Sequence, residues 1–147
     1  MGSRDAGPGS PYKAVALGLA VDVGGSTVAG VALSLLYSII LAATGTSAKE
    51  IAELVTHPAH DSWYYILGLV TGTALSVLGG YVCARIAKRS EVKLGAIMAA
   101  LSTLVGGVLT QLEDPDMTLV TVIVTFGAVM SGALMGRAGN RGRSAPA

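Results

Sequence analysis

The stretch Gly68–Lys93, GLVTGTALSVLGGYVCARIAKRSEVK, decides the fold of this chain. It continues an apolar run that begins with Trp63-Tyr64-Tyr65, and it ends in a basic cluster. On an α-helix, small residues at every fourth position leave one side open to the close approach of a second helix. The stretch carries five such residues: Gly68, Gly72, Ser76, Gly80 and Ala84. It therefore predicts a packed transmembrane helix with a defined direction.

The composition of the whole chain also indicates a membrane domain. Of its 147 residues, 52% are hydrophobic and 13% are charged, whereas soluble domains carry about 25% charged residues. A transmembrane helix needs about 20 mainly apolar residues, and four segments qualify: about 14–43, 63–84, 94–112 and 117–136. We predict an all-α, polytopic membrane protein whose four transmembrane helices form a single antiparallel bundle at 13–137. A flexible cytoplasmic tail, 1–12, and a basic cytoplasmic tail, 138–147, flank it.

The charges are distributed unequally between the two ends of this predicted bundle. Nine of the ten lysine and arginine residues precede the first span, join the second to the third, or follow the fourth. The opposite side carries only Lys49, together with six acidic residues. Because cytoplasmic loops of membrane proteins are enriched in lysine and arginine, both termini are predicted to be cytoplasmic. The charge pattern does not indicate a nucleic-acid-binding surface.

The first span contains one charged residue, Asp22, followed by Gly24-Gly25-Ser26. Ionisable groups within a span are costly and mark candidate functional sites. Asp22 lies 21 residues inward from Ala43, and Arg85 lies 21 residues inward from Tyr64, which corresponds to about 32 Å in each helix. We therefore predict a structural Asp22–Arg85 ion pair near the cytoplasmic interface. A carboxylate that couples to a proton or an ion is the alternative.

Small residues at four-residue spacing predict helix-packing faces in every span. Such small-xxx-small faces allow helix backbones to approach closely within a membrane. The predicted packing residues are Gly18, Ser26 and Gly30 in the first span, Gly68, Gly72, Ser76 and Gly80 in the second, Gly95 and Gly107 in the third, and Gly132 in the fourth.

The loop between the first two spans predicts a short helix at the outer membrane surface. Ser47-Ala-Lys-Glu50 matches the capping box that begins a helix, and apolar residues follow on one face up to Pro58. Trp63, Tyr64 and Tyr65 are typical of the aromatic belt that anchors a span at the membrane interface.

The sequence predicts no catalytic residue, no metal site and no cofactor. His57 and His60 flank a proline in the outer loop, but two histidines are too few ligands to define a metal site. Cys83 is the only cysteine, so it cannot form a disulfide within the chain, and a small buried side chain is expected there.

The sequence contains three distinctive short patterns: Val21-Asp22-x-Gly24-Gly25-Ser26, Gly45-x-Ser47-x-x-Glu50, and Gly79-Gly80-Tyr81-x-x-Ala84-Arg85 at the end of the second span. Together they resemble the patterns of a group of small, uncharacterised four-span bacterial inner-membrane proteins. The resemblance covers residues 15–107. It implies a multi-pass location in the bacterial cytoplasmic membrane, and it implies no activity, ligand or catalytic residue.

These patterns favour a non-enzymatic membrane protein. Its predicted partners are the lipid bilayer and either further copies of itself or a larger membrane complex. A small transporter or ion-coupled protein that uses Asp22 is the alternative. An enzyme is disfavoured because the spans lack acid–base pairs and clusters of metal ligands.

Overall fold

The computed structural model describes residues 10–88, 90–110 and 115–141. Within these ranges there is no β-strand, which confirms the prediction of an all-α protein. The five helices of these ranges are α1 (Pro11–Ala43), α2 (Ala48–Thr56), α3 (Trp63–Ala87), α4 (Glu91–Thr110) and α5 (Pro115–Arg141). One segment of α1, Ala20–Gly24, is wound as a π-helix.

Three helical segments are long and apolar enough to cross a membrane: Pro11–Ala43, Trp63–Ala87 and Leu119–Arg141. These lengths and compositions mark the chain as a membrane protein. Many leucine, isoleucine and valine side chains on these helices are exposed, as expected for surfaces that contact lipid. The predicted third span corresponds to α4, but residues 111–112 at its C-terminal end lie outside the described ranges. The fourth crossing therefore stays a prediction.

Local sequence signals explain where several helices begin. The Ser47 hydroxyl accepts a hydrogen bond from the Glu50 backbone N–H at 3.4 Å, so the predicted cap of α2 is present. Ser62 caps α3 in the same way, with Tyr65 N donating to Oγ at 3.2 Å. Pro11 begins α1, a position that tolerates proline because the first helical N–H groups have no partner within the helix.

The two terminal helices extend into the segments predicted as tails. Helix α5 continues to Arg141, so residues 138–141 of the predicted C-terminal tail are helical. Pro11 and Tyr12 belong to α1, while residues 1–9 and 142–147 of the predicted tails lie outside the described ranges. Helix α3 ends at Ala87, and the following C-cap residue, Lys88, takes a left-handed conformation with φ 52°.

Helix α3 is central, and it packs against α1, α4 and α5. The buried core lies where the N-terminal part of α1 and the C-terminal part of α3 meet α4 and α5. Its members are small or flexible side chains: Ala14, Cys83, Ala87, Met98, Ala99 and Val129. Glycines allow the helices to approach this closely. A methyl group at Gly80 would overlap the Val129 carbonyl of α5, and one at Gly136 would lie 2.7 Å from Ala84 Cβ.

The other halves of α1 and α3 are joined mainly by aromatic residues. Tyr37 of α1 stacks on Tyr64 of α3, with ring centroids 4.5 Å apart, and it meets the edge of Trp63 at 5.4 Å. The Tyr64 hydroxyl and Ser34 Oγ form a 2.8 Å hydrogen bond. Two of the three predicted interface aromatics therefore also tie α3 to α1.

Candidate functional site

Asp22 is the central residue of the candidate site. It lies in the π-helical segment of α1 and is only 3% exposed. Single π-helical turns within α-helices occur frequently at functional sites. Burying a carboxylate is expensive unless polar partners satisfy both of its oxygens.

Two serines from two other helices supply these partners. Ser76 of α3 donates its hydroxyl to Asp22 Oδ1 at 2.7 Å, and Ser102 of α4 donates to Oδ2. Both serines are buried. The carboxylate thus connects α1, α3 and α4 through charge-assisted hydrogen bonds, which are stronger than hydrogen bonds between neutral groups.

Glycines close the site on the side of the buried core. A methyl group at Gly79 would lie 2.8 Å from Asp22 Cβ and 2.8 Å from the Gly18 carbonyl oxygen. A methyl group at Gly18 would lie 2.7 Å from Met98 Sδ. Only a residue without a side chain fits at either position, so α1 and α3 are in backbone contact beside the carboxylate. The site is therefore tightly packed on this side.

The structure does not bring Asp22 and Arg85 together, so the predicted ion pair is wrong. Arg85 Nη1 donates instead to Asn140 Oδ1 at 3.1 Å, and its guanidinium lies 5.8 Å from the centroid of the Tyr81 ring. Asn140 Nδ2 also donates to the Ala84 carbonyl at 3.0 Å. Arg85 thus joins the ends of α3 and α5.

The physical reason for this difference is the vertical offset between α1 and α3. Counting inward from Ala43 and from Tyr64 assumes that these residues lie at one level, but Tyr64 bonds Ser34, which lies nine residues before Ala43. Measured from the Ser34–Tyr64 contact, Asp22 and Ser76 are each 12 residues inward. Asp22 is therefore level with Ser76, nine residues from Arg85, or about 13.5 Å along the helix.

The sequence does contain a signal that relates the two serines to Asp22. Asp22 is nine residues from Lys13, Ser76 is nine residues from Arg85, and Ser102 is nine residues from Lys93. These basic residues lie at the same end of the bundle. Because each of the three residues lies nine positions from its basic residue, the carboxylate and both hydroxyls lie at one depth in the bundle. The four-residue spacing of small residues does not reveal this relation, because Ser102 lies beside the packing face of its span.

The predicted packing residues divide into two groups. A methyl group would contact a neighbouring helix at Gly18, Gly80, Gly95 and Gly132, whereas no described neighbour lies within 4 Å of one at Gly30, Gly68, Gly72 or Gly107. Ser76 is buried at the site, and Ser26 is half-buried. Each four-residue step rotates about 40° around a helix, so a stripe of five residues cannot face one neighbour along its whole length. Gly79, which lies off the predicted stripe of α3, and Gly136, four residues after Gly132, are also contact positions.

Within the described ranges, no group of three or more histidine, cysteine, aspartate or glutamate side chains converges to hold a metal ion. No protein-family model, curated protein sequence or solved structure matches this chain. We therefore infer the function from the geometry of the molecule.

Proposed function

We propose that this chain is a four-span protein of the bacterial inner membrane, with both termini in the cytoplasm. It acts without catalysis, as a packing subunit of a homo-oligomer or of a larger membrane complex. The observation that carries this proposal is the contrast between the two halves of α3. Neighbouring helices fill the space beside Gly79 and Gly80, whereas no described neighbour lies within 4 Å of a methyl group added at Gly68 or Gly72.

On a different side of the same half of α3, a groove of about 730 Å³ lies between α1 and α3. Small residues on both helices form much of its lining: Gly24, Gly25, Ala29, Ala32, Thr71 and Ala74. Small residues allow a transmembrane helix to approach closely enough to gain packing energy that lipid chains do not supply. A helix from a second protein chain therefore suits this groove.

In this proposal, Asp22 has a structural role. Its two oxygens are both bonded, and it fixes α1 against α3 and α4. Loss of one partner from a buried, charged hydrogen bond is strongly destabilising because the remaining charge stays unsatisfied. The serines therefore stabilise the bundle that presents the groove.

Ion coupling through Asp22 is a second candidate, favoured by one feature of the site. Among the described residues, no lysine, arginine or histidine forms an ion pair with Asp22, and its hydrogen bonds come from uncharged hydroxyls. An unpaired charge at this depth is costly. A bound proton or monovalent cation would neutralise the carboxylate. Reversible binding of such an ion is the chemistry that a coupled carrier requires.

The packing proposal is tested by comparing two tryptophan substitutions in native-lipid nanodiscs. Ala74→Trp fills the groove at an exposed position of α3, and Ala100→Trp adds the same side chain at an exposed position of α4 outside the groove. Native mass spectrometry should show a complex for the wild type and for Ala100→Trp, and its loss for Ala74→Trp. A monomeric wild type without a stoichiometric partner would contradict the proposal.

The second candidate makes a different prediction for the same protein. In proteoliposomes, wild-type protein would carry a proton or sodium flux that Asp22→Asn abolishes. Under the packing proposal neither protein carries such a flux, and Asp22→Asn lowers only the stability of the bundle.

A further inference from the structure

The inner end of α5 carries two arginines that the bundle does not use. Arg137 and Arg141 line a shallow depression of about 420 Å³ together with Leu134 and Ala138. Arg137 is half-buried and Arg141 is exposed. In the part of the chain that the structure describes, neither guanidinium forms a hydrogen bond or an ion pair. By contrast, Arg85 at the same end of the bundle is bonded to Asn140.

Arg141 lies on the side of α5 that faces away from the bundle, and Arg137 lies at the edge of that side. Gly132 and Gly136 face α3, and Ala133, one turn before Arg137, packs against Gly95 of α4. Residues four apart on a helix are neighbours, separated by about 6 Å along the axis. Two guanidiniums at this spacing can both donate to the oxygens of one phosphodiester group, and the planar donor fork of arginine suits that anion.

The same side of α5 is apolar towards the middle of the helix. Leu134, one turn from Arg137 and Ala138, is 51% exposed, and Ile123 further along this side is 61% exposed. A ligand for the depression therefore needs an anionic headgroup at the arginines and hydrocarbon chains that lie along the apolar side. A membrane phospholipid with a net negative charge has this form.

We propose that Arg137 and Arg141 form a binding site for the headgroup of an anionic glycerophospholipid. A zwitterionic headgroup carries a cationic group beside its phosphodiester, and the two guanidiniums repel that group. No acidic side chain among the described residues pairs with either arginine to offset this repulsion, so the site selects the anionic lipid. The proposal requires only that the chain lies in a membrane. It does not depend on whether the chain packs with a partner or couples to an ion.

The test compares two double variants that remove the same charge from the same end of the bundle. One is Arg137→Gln with Arg141→Gln, and the other is Lys88→Gln with Lys93→Gln, both of whose lysines are exposed. Each protein is reconstituted in vesicles of equal phosphatidylglycerol and phosphatidylcholine content and is then released for native mass spectrometry. The ratio of the two lipids retained per protein is measured.

The wild type and the lysine double variant should retain phosphatidylglycerol preferentially. The arginine double variant should lose about tenfold or more of this preference, since charged hydrogen bonds to the headgroup are removed. Equal losses in both double variants would overturn the proposal, because they would indicate general attraction to positive charge. Displacement of the lipid by millimolar inorganic phosphate would also overturn it, since the site would then bind phosphate without the lipid chains.

Discussion

The contact between α3 and α5 predicts a large difference between two glycine substitutions on one helix. A methyl group at Gly132 would overlap the Val77 carbonyl oxygen and lie 2.8 Å from the Val77 carbonyl carbon and 2.9 Å from Tyr81 N. These atoms belong to the backbone of α3 and cannot rotate away. Ordinary van der Waals contacts begin at 3.4 Å, and the carbonyl carbon would lie at 2.8 Å. This contact alone therefore requires α3 and α5 to move apart by at least 0.6 Å. Moving the two helices apart at Gly132 would also loosen their contacts at Gly80 and Gly136.

Gly132→Ala is therefore expected to lower the free energy of unfolding by about 2 kcal/mol. Overpacking a tight contact costs about 1–3 kcal/mol, and more where backbone must move. The higher helix propensity of alanine offsets up to about 1 kcal/mol of this cost. Gly127→Ala is the matched control, since Gly127 lies on the same helix and no described neighbour lies within 4 Å of its methyl position. It should leave stability unchanged or raise it by up to about 1 kcal/mol.

The assay is reversible unfolding of both variants in lipid bicelles, with the free energy of unfolding measured by steric trapping. The two variants should differ by about 2–3 kcal/mol, with Gly132→Ala the less stable. Equal stabilities within about 0.5 kcal/mol, the usual range for surface substitutions, would refute backbone contact between α3 and α5 at this glycine.

Two further predictions use the same measurement. Ser102→Ala removes the donor to Asp22 Oδ2 and should cost about 1.5–3 kcal/mol, whereas Ser131→Ala, whose hydroxyl bonds the nearby Ala128 carbonyl, should change stability by less than about 0.5 kcal/mol. A cost for Ser102→Ala of only about 0.6 kcal/mol, the average for interhelical hydrogen bonds in membranes, would contradict a charge-assisted bond. Lys88→Gly should stabilise the protein by about 1 kcal/mol, because glycine adopts the left-handed conformation of this residue without strain. No gain in the free energy of unfolding would show that Lys88 is not strained.

The positions and approximate ends of the helices could be predicted from the sequence because the signals are local. The length of each apolar run, the serine caps at Ser47 and Ser62, and the aromatic residues at Trp63–Tyr65 act within a few residues of themselves. Those signals place the start of α3 at Trp63 and the existence and start of α2 correctly. Asp22 is also recognisable as unusual, since it is the only charged residue within a long apolar run.

Counts from the basic residues place Ser76 and Ser102 at the depth of Asp22, but only the tertiary structure decided that these side chains meet and which half of each glycine stripe is packed. Counts from the other end of the helices assume an offset between them, and no count gives the rotation of a helix about its axis. Because α1 continues nine residues beyond the Ser34–Tyr64 contact, the carboxylate lies level with Ser76 and not with Arg85. The rotation of about 40° at each four-residue step likewise turns the stripe of α3 from an uncovered surface at Gly68 to close contact at Gly80.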